Sequence, residues 1–483
     1  MGTKPVENNI KDSLSANVKA ILTQTHLLDY KYENIALDGH YTPKDYSANL
    51  TLTDPNGNLN LRAAYDTGGR LPHYTVTLDA DSLDLHTIGL IGLHEGNSFS
   101  TRLTADLHGH DIDHIMGKVV IDSLTMHRPT GNDYLIKEVA LYASDLEGKM
   151  LSLKSDFMDG TLRGELTYRS LLNSLLGHLH HSLPSLCQSH NHSNEKAANL
   201  CLANIEVYNI APLRELLSLP ISTVGKAKFE VLVNDAAGEL KASASIPQIE
   251  YDDNLIKGVS LDIHSMEQGL DFYAGATLHN EDSPALTASL VTKATNDVAD
   301  LALLWNSNPV GTFEGTLRTQ ALLSLNEDDR LCIDITTDST SVTLNNTECL
   351  FDPFSANISP QHISIDSLHF ASATQHLSAN GTIAKDETDT LQVSFMGLDL
   401  GYLLSLVNLK GITFDGQVSG QADISGLYSA TPYIEATIKA QDFSMKGIVN
   451  PHTVGFYIGP LIKMTHNSNF WQMYVRSLPI PQL

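Results

Sequence analysis

Residues 259–265 read VSLDIHS, and this short stretch decides the fold class. Leu261 and Ile263 alternate with Asp262 and His264. Successive side chains of a β-strand point to opposite faces, so the alternation predicts a strand with one apolar face and one polar face. An α-helix would need apolar residues three and four positions apart.

The same alternation recurs along most of the chain. Turn-forming sequences such as DPNGN and DTGG separate the alternating stretches, as they do between antiparallel strands. We therefore predict an all-β fold, an elongated repeat-built sheet with a few short helices. Further alternating stretches are LNLRAAY (59–65), YTVTLDADSL (74–83), LDFYAGATL (270–278) and LQVSFMG (391–397).

Charge and the length of the apolar runs argue against a nucleic-acid partner and against a membrane-spanning helix. The 56 acidic and 30 basic residues give a formal charge of -26, which repels phosphate backbones, so no nucleic-acid partner is expected. The longest apolar runs are far shorter than the roughly 20 residues that span a bilayer. The N-terminal sequence lacks the pattern of a signal peptide and predicts an amphipathic helix.

An internal repeat relates two distant parts of the chain. Leu-Asp-Leu occurs at 83–85 and again at 398–400, in each case after an alternating stretch. An Ala-Asp pair follows at 105–106 and at 422–423, so the aspartates are separated by 22 and 24 residues in the two copies. The shared order favours an array of small β units that bury their apolar faces by stacking.

These patterns predict five segments. We expect an N-terminal helical segment (1–29), β repeats (30–167), a helical insertion with a polar loop (168–219), further β repeats (220–447) and an irregular tail (448–483). The helix of the insertion is predicted by YRSLLNSLLGHLHHSLPSL (168–186), in which leucines form one stripe and Pro184 ends the helix. Shorter helices are predicted at APLRELLSL and at LGYLLSLVN.

The chain resembles a known family in several of these features. They are the alternating strands, the Leu-Asp-Leu element, GQVSGQADISG (416–426) followed by YIEATIKAQDFSM (433–445), and the helix ending in SLPSL. Together they are similar to the TamB family, the inner-membrane subunits of the translocation and assembly module, within the AsmA-like group. The resemblance covers most of residues 30–447. The family's N-terminal anchor sequence is not recognised, so we expect this chain to be a fragment whose tail has a shifted reading frame.

The resemblance implies a function and a location. Proteins of this family fold a long sheet into an apolar groove (a β-taco), reside in the periplasm attached to the inner membrane, and take part in outer-membrane assembly and phospholipid transfer. The implied partners are phospholipid acyl chains and an outer-membrane β-barrel assembly partner. An extracellular β-solenoid or adhesin-like protein with a closed core remains the alternative, because the same alternation fits packing. The candidate groove residues are Val76, Leu78, Leu261, Ile263, Leu270, Phe272, Val393 and Phe395.

Two histidine clusters raise the question of a metal-dependent hydrolase. ADLHGHDIDHI (105–115) places His108, His110, Asp113 and His114 close to the ligand signature of metallo-β-lactamase-type enzymes, with one residue too many. The inserted residue turns the last pair away from the first on an extended strand. The second cluster, around 178–181, lacks the glutamate of a helical zinc motif. We predict no catalytic residues, no resident metal and no cofactor.

The four cysteines form no CxxC pair. Cys332 and Cys349 lie in neighbouring strand-like segments, so a disulfide and two free thiols are both consistent with their spacing.

Overall fold

The computed structural model of the chain describes residues 15–187, 198–399, 412–425, 433–447, 463–467 and 470–476, apart from positions 28, 93, 147, 252–253, 267, 281–282, 309–312, 345, 361 and 385–388. The chain divides into two units: unit 1 is Met1–Ser174 with Ser193–Ala237, and unit 2 is Leu175–His192 with Gly238–Leu483. Antiparallel strands make up most of each unit, which confirms the predicted all-β class.

Unit 1 contains β1 (Ala16–Leu27), β2 (Tyr30–Tyr41), β3 (Asp45–Asp54), β4 (Gly57–Asp66), β5 (His73–Leu83), β6 (Ser98–His108), β7 (Met116–His127), β8 (Tyr134–Ile136), β9 (Val139–Ser144), β10 (Lys149–Ser155), β11 (Met158–Glu165), β12 (Leu200–Val207), β13 (Ile221–Val224) and β14 (Ala227–Asn234). Strands β1 to β7 pair in chain order. The sheet continues from β7 through β9, β10, β11 and β12 to β14.

Unit 2 contains β15 (Glu239–Tyr251), β16 (Asn254–Met266), β17 (Gly269–Asn280), β18 (Ser283–Thr295), β19 (Val298–Asn308), β20 (Phe313–Leu325), β21 (Leu331–Thr337), β22 (Thr340–Leu344), β23 (Thr347–Phe351), β24 (Ser355–Ile358), β25 (His362–Ala371), β26 (His376–Ala384), β27 (Thr390–Asp399), β28 (Ile412–Ser425), β29 (Tyr433–Gly447), β30 (Lys463–Asn467) and β31 (Phe470–Arg476). Strands β15 to β20 pair in order, and β25 to β29 do the same. Between these runs, the short pairs β21 with β24 and β22 with β23 connect β20 to β25.

Tight turns explain the order of pairing. The β18–β19 hairpin turns at Asn296 and Asp297, whose φ values of 50° and 65° are typical of a two-residue type I′ turn. Such turns join neighbours along the chain, so most pairing follows sequence order.

The described residues contain two α-helices. Helix α1 (Tyr168–Ser182) forms where the leucine stripe predicted it and ends just before Pro184. Helix α2 (Ala211–Leu217) has Pro212 in its first turn, and the residue that follows its last turn is Ser218, whose φ of 51° is left-handed. The helix predicted at LGYLLSLVN and the polar loop at 188–197 lie outside the described residues.

Three predicted segment assignments are wrong for the residues that the structure describes; the rest of the predicted N-terminal helical segment (1–14) and of the tail (448–462, 468–469 and 477–483) lies outside them. Residues 16–27 form β1 rather than a helix, because β2 supplies the hydrogen-bonding partner for the whole segment. The segment 168–219 is not only helix and loop, since β12 lies within it and continues the sheet from β11. Part of the tail after 447 is also regular: β31 pairs with both β29 and β30.

Cys332 and Cys349 are free thiols, so the disulfide alternative is not formed.

Candidate apolar binding faces

One face of β2 to β7 carries an unbroken row of aliphatic side chains. Directly paired residues of antiparallel strands point to the same face, so the pairings themselves place these side chains together. The row consists of Leu37, Leu50, Leu61, Leu78, Leu103 and Ile121. Val76 belongs to the next row, between Ala63 and Ala105. We call this surface the unit 1 apolar face.

The opposite face of the same strands is polar. Arg102 pairs with Asp79 at 2.7 Å, and Lys19 pairs with Asp38 at 3.2 Å. Asp38, Asp79 and Arg102 alternate with members of the aliphatic rows along their strands, and Lys19 lies on β1 directly opposite Asp38. The sheet of unit 1 is therefore amphipathic, as the sequence alternation predicts.

A short turn covers one border of the unit 1 apolar face. Residues 84–90, which follow β5, place Ile88 against Tyr32, Leu52 and Leu83. Ile88 is 1% exposed, and its carbonyl accepts a 2.8 Å hydrogen bond from the Tyr32 hydroxyl. Asp84, the aspartate of Leu-Asp-Leu, accepts hydrogen bonds from the amide and hydroxyl of Thr87 at 2.9 and 2.6 Å. We call residues 84–90 the unit 1 cover.

Tyrosines line the other border of this face. Tyr41, Tyr46, Tyr65 and Tyr74 follow one another across four strands, with ring centroids 4.9, 5.5 and 4.8 Å apart. A hydrogen bond to Tyr41 raises the pKa of Tyr46, and desolvation with a hydrogen bond to Tyr74 raises the pKa of Tyr65. The row therefore presents uncharged rings with polar tips, a composition suited to the border between an apolar and an aqueous region.

Unit 2 has a corresponding apolar face. Direct pairings across β15 to β20 bring together Ala244, Leu261, Ala274, Leu290, Leu303 and Leu317. Ile263 and Phe272 pair with each other in the neighbouring row. We call this surface the unit 2 apolar face. Its reverse side carries polar contacts, including Gln320 with Asp300 at 2.9 Å and the hydroxyls of Thr277 and Thr287 at 3.0 Å.

The pairings also place the distant candidates of unit 2 on this same face. A chain of direct partners leads from Leu270 to Leu391, and Val393 and Phe395 follow Leu391 at intervals of two along β27. All six candidates of unit 2 therefore share one face. The intermediate partners are Ala294, Ala299, Ala321, Ile335, Ala356, Ile365 and Gly381.

The end of α1 covers part of the unit 2 apolar face. Leu179 and Leu183 pack against a buried cluster that contains Leu270. Polar contacts hold this segment in place: the Ser265 hydroxyl donates to the carbonyl of His178 at 2.9 Å, and the Ser185 amide and hydroxyl donate to Asp297 at 2.9 and 2.7 Å. We call residues 175–187 the unit 2 cover.

The covers divide the candidate residues into two groups. Leu270 is 7% exposed beneath the unit 2 cover, so it contributes to packing rather than to an accessible surface. The other seven candidates are half-buried, and Leu303 in the row of Leu261 is 39% exposed. The described buried residues form several small clusters rather than one core. Rows away from the covers therefore remain accessible.

The hydrolase-like motif does not assemble. Asp111 accepts from the amide and the imidazole of His114, and the bond to the imidazole lowers the pKa of Asp111. Asp113 faces Arg169 at 3.5 Å instead of turning toward His108 or His110. In the second cluster, the His180 imidazole is hydrogen-bonded to the carbonyl of Cys187 at 2.7 Å. Among the described residues, neither segment brings three of its own histidine and aspartate side chains together around one point.

A serine, a histidine and an aspartate meet on the polar face of unit 1, which the sequence did not indicate. The His127 imidazole lies 2.8 Å from the Ser100 hydroxyl and 2.8 Å from Asp133. The Ser100 hydroxyl already accepts from the Ser82 amide, at 2.9 Å. In the second repeat copy, the Ser419 hydroxyl likewise accepts a hydrogen bond from the amide of Gly397. We therefore assign the Ser100 hydroxyl to binding a backbone amide rather than to nucleophilic catalysis.

No helix in the described part of the chain combines the length and apolarity that crossing a membrane requires. No family model, curated protein or solved structure matches the chain.

Proposed function

We propose that the apolar faces bind phospholipid acyl chains, and that the protein serves lipid transfer and outer-membrane assembly in the periplasm as the TamB family does. The observation that carries the proposal is that direct strand pairing lines up aliphatic side chains in unbroken rows on one face of each unit. Outside the two covers, these side chains are half-exposed. The periplasmic location, the attachment to the inner membrane and an outer-membrane β-barrel assembly partner rest on the sequence resemblance.

The energetic argument concerns acyl chains in water. A phospholipid carries on the order of 30 methylene groups, and each costs about 0.8 kcal/mol in water, so full exposure costs roughly 25 kcal/mol. A row of leucines shields those methylenes without offering a polar group that would bind one position strongly. An unbroken row therefore allows a chain to move from strand to strand at nearly constant free energy.

The alternative is an adhesin-like protein whose apolar face is a closed core. The buried cluster around Leu270 favours it locally. The 39% exposure of Leu303 argues against closure of the neighbouring rows, because a core leucine would have no such exposure.

A matched pair of variants tests the proposal. Leu303 and Leu304 are adjacent, identical in type and equally exposed at 39%, but they point to opposite faces of β19. Leu303 pairs with Leu290 on the apolar face, and Leu304 pairs with Ser289 on the polar face. We expect Leu303→Arg to reduce co-purified phospholipid strongly and Leu304→Arg to leave it unchanged, as measured by mass spectrometry of lipid extracts.

Photocrosslinking gives an independent measurement of the same proposal. A photoreactive residue at Leu261 should form adducts with lipid, whereas one at Asp262 on the reverse face should not. Lipid-free protein, or equal loss of lipid in both arginine variants, would contradict acyl-chain binding and favour the closed core.

A further inference from the structure

The polar face of unit 1 brings together two histidines and an aspartate at the end of β5 and β6. His73 and His108 pair directly across these strands, and their rings stack with centroids 4.1 Å apart and planes 10° from parallel. Asp106 lies two positions before His108, on the same face of β6. Sheet register, rather than sequence proximity, creates this cluster, since His73 is far from the ADLHGHDIDHI segment.

The three side chains offer ligand atoms at distances suited to a metal ion. Oδ1 of Asp106 lies 2.9 Å from Nε2 of His73 and 3.8 Å from Nδ1 of His108. One ligand atom from each residue lies within 4.8 Å of the other two. Neighbouring ligands of a tetrahedral zinc ion lie about 3.3 Å apart, given bonds of about 2.0–2.1 Å. Small side-chain rotations would reach that geometry without moving the strands.

We propose that His73, Asp106 and His108 form a binding site for a transition-metal ion such as Zn²⁺. Two imidazoles and one carboxylate favour zinc, copper or nickel over calcium or magnesium, which prefer oxygen ligands. The side chains are 36%, 56% and 46% exposed, so the ion has access from solvent and its fourth ligand is water. On binding, Nε2 of His73 gives up its hydrogen bond to Asp106 and offers its lone pair to the metal, while the ring proton moves through solvent to Nδ1, so the imidazole stays neutral.

Such an ion would join β5 to β6 on the face opposite the aliphatic row. The site therefore adds a cross-strand link to unit 1 and is independent of lipid binding.

The test is titration of the purified full chain with Zn²⁺ by calorimetry, with Co²⁺ absorption as a report on tetrahedral geometry. His73→Ala and His108→Ala should each lower the affinity of one Zn²⁺ equivalent by about 10- to 100-fold or more, since ligand loss costs at least as much as loss of a supporting residue. His110→Ala and His114→Ala are the matched controls from the same segment and should leave that equivalent unchanged.

The histidines at 178–192 can bind additional ions, so the decisive quantity is the stoichiometry. The double variant of His73 and His108 should lose one equivalent, together with the tetrahedral Co²⁺ signal and the rise in unfolding temperature on adding Zn²⁺. Circular dichroism verifies that the variant is folded. Unchanged stoichiometry and affinity in the folded double variant would overturn the proposal.

Discussion

The two copies of the internal repeat contain the same backbone irregularity built from different residues. In β5, Asp81 and Ser82 together oppose Ser100 on β6. In β27, Met396 and Gly397 together oppose a single residue, Ser419, on β28. Both are β-bulges, in which one strand carries an extra residue.

The geometry of the two bulges agrees in detail. The second residue is left-handed in both, with φ of 51° at Ser82 and 64° at Gly397. In both, its amide donates a 2.9 Å hydrogen bond to the serine hydroxyl of the opposing strand. The repeat therefore preserves a backbone conformation and its hydrogen bond more closely than it preserves the residue that adopts them.

The surroundings explain why one copy has serine and the other has glycine. A Cβ atom on Gly397 would lie 2.3 Å from the carbonyl oxygen of Thr374, a backbone atom that cannot move aside easily. Ser82 carries its Cβ at nearly the same φ, at the usual cost of about 1–2 kcal/mol for a left-handed residue. Neighbouring turns, rather than the repeat itself, decide which side chain fits.

The largest expected effect tests whether the two bulges have the same role. Each bulge is followed by a buried leucine, Leu83 at 5% and Leu398 at 7% exposure. Truncation to alanine should destabilise the surrounding strands by about 2–5 kcal/mol at either site, because each leaves a cavity. Amide hydrogen exchange in the neighbouring strands measures the loss. A large effect at one site only would show that the copies have diverged in packing.

An exchange of residues between the copies is the next test. Gly397→Ser should destabilise β27 by about 1–3 kcal/mol, since the backbone must shift to relieve the contact with Thr374. The reciprocal Ser82→Gly should change stability by less than about 1 kcal/mol, because relief of the left-handed strain offsets the added freedom of the unfolded chain. Equal costs in denaturant titrations would contradict the role of the Thr374 carbonyl.

The first bulge rests on a turn that contains an ionised carboxylate. Asp54 accepts hydrogen bonds from the Tyr30 hydroxyl at 2.6 Å and from the amides of Glu33 and Asn56, each at 2.9 Å. Burial alone would raise the pKa of Asp54, but these hydrogen bonds outweigh it and lower the pKa. Gly57 of the same turn is packed so closely against the first bulge that a Cβ atom there would overlap its backbone.

The carboxylate makes the stability of the first bulge depend on pH. Asp54→Asn should destabilise unit 1 by about 1–2 kcal/mol at neutral pH, because hydrogen bonds to a charged acceptor are stronger. A lowered folded-state pKa gives stability that is present above the unfolded value of about 4 and disappears as the pH falls below it. The difference between wild type and variant, followed by denaturant titration at several pH values, should therefore shrink below about pH 4.

The sequence predicted the parts of this structure that depend on local alternation. The strands around Leu78 and Leu261 were predicted because alternation fixes the face of each side chain. The sequence does not predict that the unit 2 cover buries Leu270, because α1 lies far from β17 in sequence and only the folded chain brings them together. The pairing of His73 with His108 depends in the same way on the register of two strands. At residues 16–27, pairing with β2 overrides the helical pattern of the sequence.

The bulges themselves could not be predicted, because the extra residue exists only relative to the partner strand. A third bulge of this kind, at Asp366 and Ser367, opposes the exposed Asn380 instead of a serine. It has the same left-handed second residue, with φ of 63°. This third instance provides a control for the role of the opposing hydroxyl.

The smallest expected effect concerns that hydroxyl. Ser419→Ala should destabilise its strands by about 0.5–1.5 kcal/mol, the usual net value of one hydrogen bond, and Ser100→Ala by at least as much, because the Ser100 hydroxyl also contacts His127. Asn380→Ala should change stability by less than about 0.5 kcal/mol, as most exposed substitutions do. Hydrogen exchange of the amides of Ser82 and Gly397 reports the loss directly. If those amides exchange at unchanged rates, the backbone alone holds the bulges, and the serine opposite them is retained for another reason.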